Sequence, residues 1–159
     1  MKILGIDPGF HVTGYGLIEK VKGLPVHILH GEIKMPRNEI LSGALLRIHG
    51  KLIDIIHENK PQALAVEDIF YGKNIKSLIK QAHVRGVTIL AGVEEGVPVF
   101  EYSPLEVKRA VVGYGRAEKF QVQKMIQAIL GLPEPPPADA SDALAVAVCH
   151  MNFQKGTSV

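Results

Sequence analysis

Residues 63–67 read Ala-Leu-Ala-Val-Glu (ALAVE), a run of four apolar residues that ends on a carboxylate. Apolar and polar residues do not alternate in this run, which is the pattern of a β-strand covered on both faces. Strands of that kind lie in sheets with helices packed on either side. The run therefore predicts an α/β fold.

β-rich segments on the N-terminal side extend this sheet. They cover about residues 2–7, 13–20 and 26–34, and they are separated by Pro8-Gly9 and by Gly23-Leu24-Pro25. Two short runs of turn residues between three β-rich segments predict an antiparallel meander. The strand at 63–67 then adds a parallel member to it.

Helical signals fill most of the remaining chain. Apolar residues recur every three or four positions from 40 to 56, which predicts an amphipathic helix ending near Asn59-Lys60-Pro61. Ser103-Pro104-Leu105-Glu106 has the pattern of a capping box with proline at the first helical position, so a helix should begin there. The other predicted elements are a strand over 97–102 and helices over about 74–95, 118–130 and 139–153. The resulting order, β-β-β-α-β-α-β-α-α-α, predicts a mixed five-stranded sheet with helices on both faces.

Composition indicates one domain without disulfides. The 159 residues are 47% hydrophobic and 21% charged, as in ordinary globular proteins. We expect residues 1–153 to form a single domain and 154–159 a flexible C-terminal tail. The lone Cys149 lies in an apolar stretch and is typical of a buried core residue in a reducing compartment. No run approaches the roughly 18 apolar residues of a membrane span, and we expect a cytoplasmic protein.

Four carboxylates occupy positions where chemistry is common. Asp7 and Glu67 end the first and fourth predicted strands, and parallel neighbours would place these ends about 5 Å apart at the edge where open α/β sheets bind ligands. Asp139 and Asp142 are three residues apart, on one face of the last helix. Taken singly, Asp7 could be a turn residue and the two helix aspartates could complement the helix dipole.

If the fold brings these four acids together, their negative charges must be compensated. Two carboxylates about 5 Å apart repel by about 3 kcal/mol at an effective dielectric constant of 20, so protons or cations must offset the charge. Oxygen donors without cysteine favour Mg²⁺ or Mn²⁺, and two such ions in one site could promote hydrolysis of a phosphodiester. His27 and His30, three apart in a predicted strand, should face opposite sides of the sheet.

Basic residues are concentrated near these acids although the net charge is only +2. The segment from 69 to 93 has no acidic residue and carries Lys73, Lys76, Lys80 and Arg85. Lys108, Arg109, Arg116 and Lys119 lie near Gly113-Tyr114-Gly115. Such residues could guide a polyanion to a metal site, or they could simply form a solvated helix face. Phe70 could stack on an unpaired base, or it could pack in a core or dimer contact.

Five motifs, in order and spacing, resemble the RuvC family of Holliday junction resolvases almost continuously from residue 2 to 149. The motifs are GIDPG (5–9), TGYG (13–16), AVEDIFYGKN (65–74), VFEYSPLEVKRAVVGYGRAEK (99–119) and ADASDALAVA (138–147). The resemblance implies a ribonuclease H-like fold and a homodimer that cuts two opposing strands of a four-way DNA junction symmetrically. It also implies divalent metal, 5′-phosphate and 3′-hydroxyl products, and partnership with a branch-migration helicase.

The resemblance also implies roles for particular residues. The metal-binding catalytic carboxylates would be Asp7, Glu67, Asp139 and Asp142. Lys108 and Lys119 match basic positions near the scissile phosphate, and Phe70 matches an aromatic residue that touches bases. The second helix, with Ala82, Gly86 and Ala91, is our predicted dimer interface. We assign no role to His11 or Asp68, although Asp68 should point away from Glu67.

Three alternatives remain open from the sequence. A ribonuclease H acting on RNA-DNA hybrids would need the same fold and acids. Sugar kinases and actin-like ATPases share a Gly-Ile-Asp-x-Gly loop, but they close two such domains over a nucleotide, and this chain provides one. A junction-binding module without catalysis would keep its DNA affinity after loss of Asp7.

Overall fold

A computed structural model of the chain describes residues 1–69, 74–153 and 157–158. The strands are β1 (Lys2–Asp7), β2 (Val12–Val21), β3 (Leu24–Lys34), β4 (Ala63–Glu67), β5 (Val99–Tyr102) and the two-residue β6 (Thr157–Ser158). The helices are α1 (Leu41–Asn59), α2 (Ile75–Glu94), α3 (Pro104–Val112), α4 (Lys119–Leu130) and α5 (Ala138–Phe153). The predicted order of five strands and five helices is confirmed, and β6 is an addition to it.

The strands form one mixed sheet in the order β3-β2-β1-β4-β5-β6. β1 pairs parallel with β4, and β4 pairs parallel with β5, while the remaining pairs are antiparallel. β3 begins two residues earlier than predicted because Lys22 and Gly23, both with positive φ, close the hairpin as a two-residue turn. Because β1 and β4 are parallel neighbours, their carboxyl ends lie at the same edge of the sheet.

Helices cover both faces of the sheet. One core packs α1 and α2 against one face, around Leu4, Ile6, Leu64 and Val66. The other packs α3, α4 and α5 against the opposite face, around Ile3 and Ala65. α5 is buried on nearly all sides, more than the single apolar stripe predicted for it, because it lies between the sheet and the α3-α4 layer. Cys149 is buried in it, as expected.

α5 lies directly on the backbone of β1 and β2. A Cβ added at Gly5 would collide with the carbonyl oxygen of Ala143, and one added at Gly14 would collide with the carbonyl oxygen of Asp139. Glycine at these two positions allows the helix to approach the sheet more closely than any side chain would permit. The approach fixes where the N-terminal turn of α5 sits relative to the end of β1.

His27 and His30 do not face opposite sides, and the prediction for this pair is wrong. The β2-β3 register shifts between Leu17 and Ile18, so one extra residue of β3 is inserted between the two histidines. That bulge reverses the alternation of side chains over one step. Nε2 of His27 consequently lies 2.8 Å from Nδ1 of His30.

Residues 154–156 and 159, which belong to the expected C-terminal tail, lie outside the described residues. None of the helices that the structure describes combines the length and the hydropathy needed to cross a membrane.

The close approach of α5 makes a testable prediction. Gly14→Ala should lower the free energy of unfolding by about 1–3 kcal/mol, because the new methyl group forces the N-terminus of α5 off the sheet. Gly50→Ala in α1 is the matched control, since a Cβ there meets no atom within 4 Å, and it should be neutral or stabilising by up to about 1 kcal/mol. Denaturant unfolding of both variants measures the difference. Equal stability of Gly14→Ala and wild type would contradict the close contact.

Candidate active site

Asp7 and Glu67 lie side by side at the carboxyl edge of the sheet. Ile6 pairs with Val66 in the parallel ladder, so the next residue of each strand emerges at the same level. Asp7 is 9% exposed, and Glu67 is partly buried. Neither carboxylate makes a hydrogen bond or an ion pair with any residue that the structure describes. The sheet therefore presents two poorly solvated carboxylates without a bonded partner in the described chain.

α5 places two more carboxylates near Asp7 and Glu67. Asp142 lines the same cavity as Asp7 and Glu67, with a volume of about 260 Å³. Asp139, one turn earlier, is not among the residues lining that cavity, but its charge still acts on Asp7. The predicted convergence of the four acids is thus found as a cavity lined by three of them with the fourth close by.

The cavity penalises negative charge. Burial raises the pKa of Asp7 well above its usual range, and the charges of Glu67, Asp142 and Asp139 raise it further. Burial and the charge of Asp142 raise the pKa of Glu67 to about 7. Burial and the charge of Glu32 raise the pKa of Asp139. The folded chain has brought these carboxylates together at an energetic cost that a bound cation would relieve.

Among the described residues, Lys119 is one of two lysines that line the cavity. Its Nζ donates a hydrogen bond to Oδ2 of Asp142 at 3.0 Å, while the side chain remains 75% exposed. That hydrogen bond raises the pKa of Lys119, so the ammonium is protonated at neutral pH. Lys108 of α3 also lines the cavity. Both lysines lie where the sequence predicts them, beside the acids.

The donor set fits a hard divalent cation. Its protein atoms are carboxylate oxygens, the ligands preferred by Mg²⁺ and Mn²⁺, and Asp7 and Glu67 have no bonded counter-charge among the described residues. In the described part of the chain, no three His, Cys, Asp or Glu side chains stand in the arrangement of a formed metal site. The cavity offers the donors without closing them into a cage.

Known proteins are similar to this chain in both sequence and fold. A family model described as "Crossover junction endodeoxyribonuclease RuvC" matches residues 3–150. The protein of that description from Geobacter metallireducens is 51% identical over 152 residues, covering 96% of this chain and 93% of the relative. This chain belongs to the RuvC family. The solved structure of Thermus thermophilus RuvC in complex with Holliday junction substrate has a TM-score of 0.92 at 32% identity, over 100% of this chain and 99% of that chain.

These matches confirm the family and the ribonuclease H-like fold expected from the sequence. The uncomplexed Thermus thermophilus RuvC also matches, with a TM-score of 0.89 at 32% identity over the whole of both chains. The RuvC family name describes an endodeoxyribonuclease that acts at crossover junctions. The protein is therefore an enzyme of the nuclease class.

The predicted DNA-binding residues of this RuvC-family chain fall into separate groups. Lys76, Lys80 and Arg116 are exposed, and Nζ of Lys80 lies 4.5 Å above the ring of Phe10. Phe70 and Lys73 lie outside the described residues. Lys108 lines the cavity of the carboxylates, whereas Lys80 lines a separate cavity with Phe10 and His11.

Arg85 makes contacts that the sequence does not predict. Its side chain is 26% exposed and forms an ion pair with Glu101 of β5, and it also approaches Asp68. The guanidinium thus contacts two carboxylates of its own chain, and the structure gives Asp68 a partner. The DNA contact of Arg85 stays a prediction.

Gln81 is a polar residue of the cavity that sequence reasoning missed. It lines the cavity with the carboxylates although it carries no charge and belongs to no motif used in the prediction. No spacing in the sequence distinguishes Gln81 from the other polar residues of α2.

The raised pKa of Glu67 predicts an unusual pH dependence of stability in metal-free protein. Between its ordinary value of 4.5 and about 7, the folded state holds a proton that the unfolded state has released, so stability falls as pH rises through this window. Glu67→Gln should therefore gain stability relative to wild type between pH 4.5 and 8, by up to about 3 kcal/mol.

Unfolding by denaturant in EDTA at several pH values measures this gain. Glu58→Gln, at an exposed position of α1, is the matched control and should track wild type. A difference between Glu67→Gln and wild type that does not change with pH would contradict the crowded, desolvated site.

Proposed function

We propose that this chain resolves four-way DNA junctions by hydrolysing two opposing strands symmetrically in a divalent-metal-dependent reaction. The products would carry 5′-phosphate and 3′-hydroxyl ends. The observation that carries the proposal is the cavity itself, in which Asp7, Glu67 and Asp142 lie together without enough positive charge to balance them. The Thermus thermophilus RuvC described above, which was solved with a Holliday junction, supports the choice of substrate.

Asp7, Glu67, Asp139 and Asp142 would hold two Mg²⁺ or Mn²⁺ ions per site. Such ions, when bound, supply Lewis-acid stabilisation of the phosphate and a more acidic water. Asp7 and Glu67 come from adjacent strands of a rigid sheet, so they fix the donors on one side. Asp142 and Asp139 come from one helical turn and supply the other side.

Lys119 and Lys108 would stabilise the charge that develops on the phosphate. The ammonium of Lys119 is protonated, exposed and already directed at Asp142 of the cavity. A cation fixed beside a reacting phosphate stabilises the transition state more than the ground state. Entry of the cations and DNA would release Lys119 from Asp142 and make it available to the phosphate.

Exposed basic residues would guide the DNA to this cavity. Lys108 on α3 lines the cavity, and Lys76 and Lys80 on α2 and Arg116 before α4 are exposed. Phe70 and Lys73 remain proposed contacts to bases and backbone. Their charges would neutralise phosphates of the junction arms. The branch-migration helicase expected from the family resemblance would act on the same arms.

Asp7→Asn tests the proposed reaction. It should lower cleavage of a synthetic immobile junction in Mg²⁺ by at least about 100-fold, because one donor of the metal site is lost. Junction affinity measured in EDTA should stay within about 2-fold of wild type, since the neutral side chain adds no repulsion to DNA. Asp54→Asn, at an exposed position of α1, is the matched control and should cut normally.

Strand-specific mapping of the nicks completes this test. Symmetric nicks in opposing strands that require Mg²⁺, with an RNA-DNA hybrid left intact in the same tube, are the expected result. Preferential cleavage of the hybrid would favour the ribonuclease H alternative. Cleavage by Asp7→Asn at the wild-type rate would overturn the assignment of the site.

We also propose that two copies act together, through an apolar groove between α1 and α2. The groove has a volume of about 410 Å³ and is lined by Leu45, Ala82, His83, Gly86, Val87 and Leu90. Leu90 is 50% exposed, and a Cβ at Gly86 would meet nothing within 4 Å. The sequence predicts that Ala91 belongs to this surface, but Ala91 is fully buried in the core of its own chain and does not.

Two symmetric cuts need two copies of one site, which makes a second copy of this chain the expected occupant of the groove. Leu90→Glu should shift the protein towards monomer by at least about 10-fold in dissociation constant, because a carboxylate would be desolvated in the contact. Leu24→Glu, at a 69% exposed position of β3, should leave association unchanged. Sedimentation equilibrium measures both, and a monomeric wild type at micromolar concentration would contradict the proposal.

A further inference from the structure

Arg85 links three elements behind the proposed catalytic edge. The guanidinium belongs to α2, its Nη2 forms an ion pair with Oε1 of Glu101 on β5, and its Nε lies 3.6 Å from Oδ1 of Asp68. The side chains of Arg85 and Glu101 are only 26% and 16% exposed. Nε is buried and, at that distance, makes no hydrogen bond with a described residue.

Asp68 makes hydrogen bonds through both its backbone and its side chain. Its amide nitrogen donates to the carbonyl oxygen of Tyr102 at 2.8 Å, which continues the β4-β5 ladder one step past Glu67. Its Oδ1 accepts from the amide nitrogen of Ile69 at 2.8 Å. The guanidinium of Arg85 therefore approaches the chain one residue after Glu67, at the end of β4.

Alternation along β4 separates this cluster from the cavity. Val66 packs in the core on the α1-α2 side, whereas Tyr102, the ladder partner of Glu67, packs in the core on the α5 side. Side chains at 66 and 68 consequently face α2, and the side chain at 67 faces the cavity. The sequence-based expectation that Asp68 points away from Glu67 is confirmed. Arg85 contacts the strand end from the back without touching the reacting groups.

Electrostatics and position give opposite expectations for the loss of this contact. As a charge alone, Arg85 lowers the affinity of the nearby cavity for cations, so its removal would strengthen metal binding. As a clamp, it holds the end of β4 against β5 and α2, so its removal would let Glu67 shift from its place beside Asp7. Partners that orient metal ligands typically change metal affinity by 10–100-fold when they are removed.

We propose that Arg85, through Glu101 and Asp68, is a positioning residue that fixes Glu67 in the cavity. This role rests on the proposed function, because Glu67 is taken there as a metal ligand. Arg85 holds the strand end in register and balances two carboxylates that would otherwise add to the negative charge at this edge. It is a positioning residue and not a DNA contact.

Mn²⁺ binding to the DNA-free protein tests the proposal without relying on activity. Calorimetric titration with Mn²⁺ alone should show affinity about 10-fold weaker for Arg85→Gln than for wild type. Arg85→Lys, which keeps the charge but loses the two-pronged contact, should lie between them. Arg47→Gln, an exposed arginine of α1, is the matched control and should bind Mn²⁺ as wild type does.

Junction assays separate positioning from DNA contact. Arg85→Gln should cut about 10-fold more slowly at saturating junction, with unchanged affinity and unchanged salt dependence in EDTA. Lys80→Gln, a proposed DNA contact, should instead reduce the slope of log affinity against log salt by about 0.9. Arg85→Gln behaving like Lys80→Gln would overturn the proposal.

Two further outcomes would also overturn it. Tighter Mn²⁺ binding by Arg85→Gln would show that only the charge matters. A lower melting temperature with Mn²⁺ affinity and cleavage equal to wild type would show a merely structural ion pair. If Arg85→Gln does not fold, Arg85→Lys decides between the same outcomes. Failure of wild type to cut any junction would count against the proposed function, while the Mn²⁺ affinities still test the role of Arg85.

Discussion

The contact of α5 with the bare backbone of β1 and β2 determines where the chemistry of this protein can occur. Gly5 and Gly14 face helix backbone at Ala143 and Asp139, and no side chain would fit between. Because the helix lies so close, its first turn overhangs the end of β1, and its aspartates reach the edge where β1 and β4 finish. Acids far apart in the sequence thus become neighbours through packing, and the site inherits the rigidity of the sheet.

This packing has an electrostatic cost that is concentrated at one edge. Burial and mutual repulsion raise the pKa values of Asp7 and Glu67, so ionised carboxylates destabilise this edge of the sheet when no cation is bound. Functional sites commonly carry such local destabilisation, which the rest of the fold supports. Here two hydrophobic cores, one on each face of the sheet, stabilise the fold that holds the site. Two basic side chains near the site also contribute. Lys119 touches the cavity, whereas Arg85 holds the strand end from behind.

Sequence reasoning reached those features that depend on local pattern or on strand ends. The ALAVE strand, the Ser103 capping box and the pairing of Asp7 with Glu67 follow from periodicity, capping chemistry and the geometry of parallel strands. It failed where one inserted residue or one long side chain decides the outcome. The β3 bulge brings His27 to His30, which no spacing rule reveals, and Arg85 folds back onto Glu101, which charge counting cannot distinguish from an exposed cation. Ala91 shows the same limit, since helical small residues look alike until packing buries one side.

The most direct test of the central claim is an anomalous-diffraction measurement on crystals of the wild-type protein soaked in Mn²⁺. If carboxylate crowding at this edge exists to bind cations, anomalous peaks should appear in the cavity within ligand distance of Asp7 and Glu67, with Asp142 or Asp139 on the other side. Peaks confined to other parts of the surface, with the cavity carboxylates bound only to Lys119 or water at saturating Mn²⁺, would contradict the account.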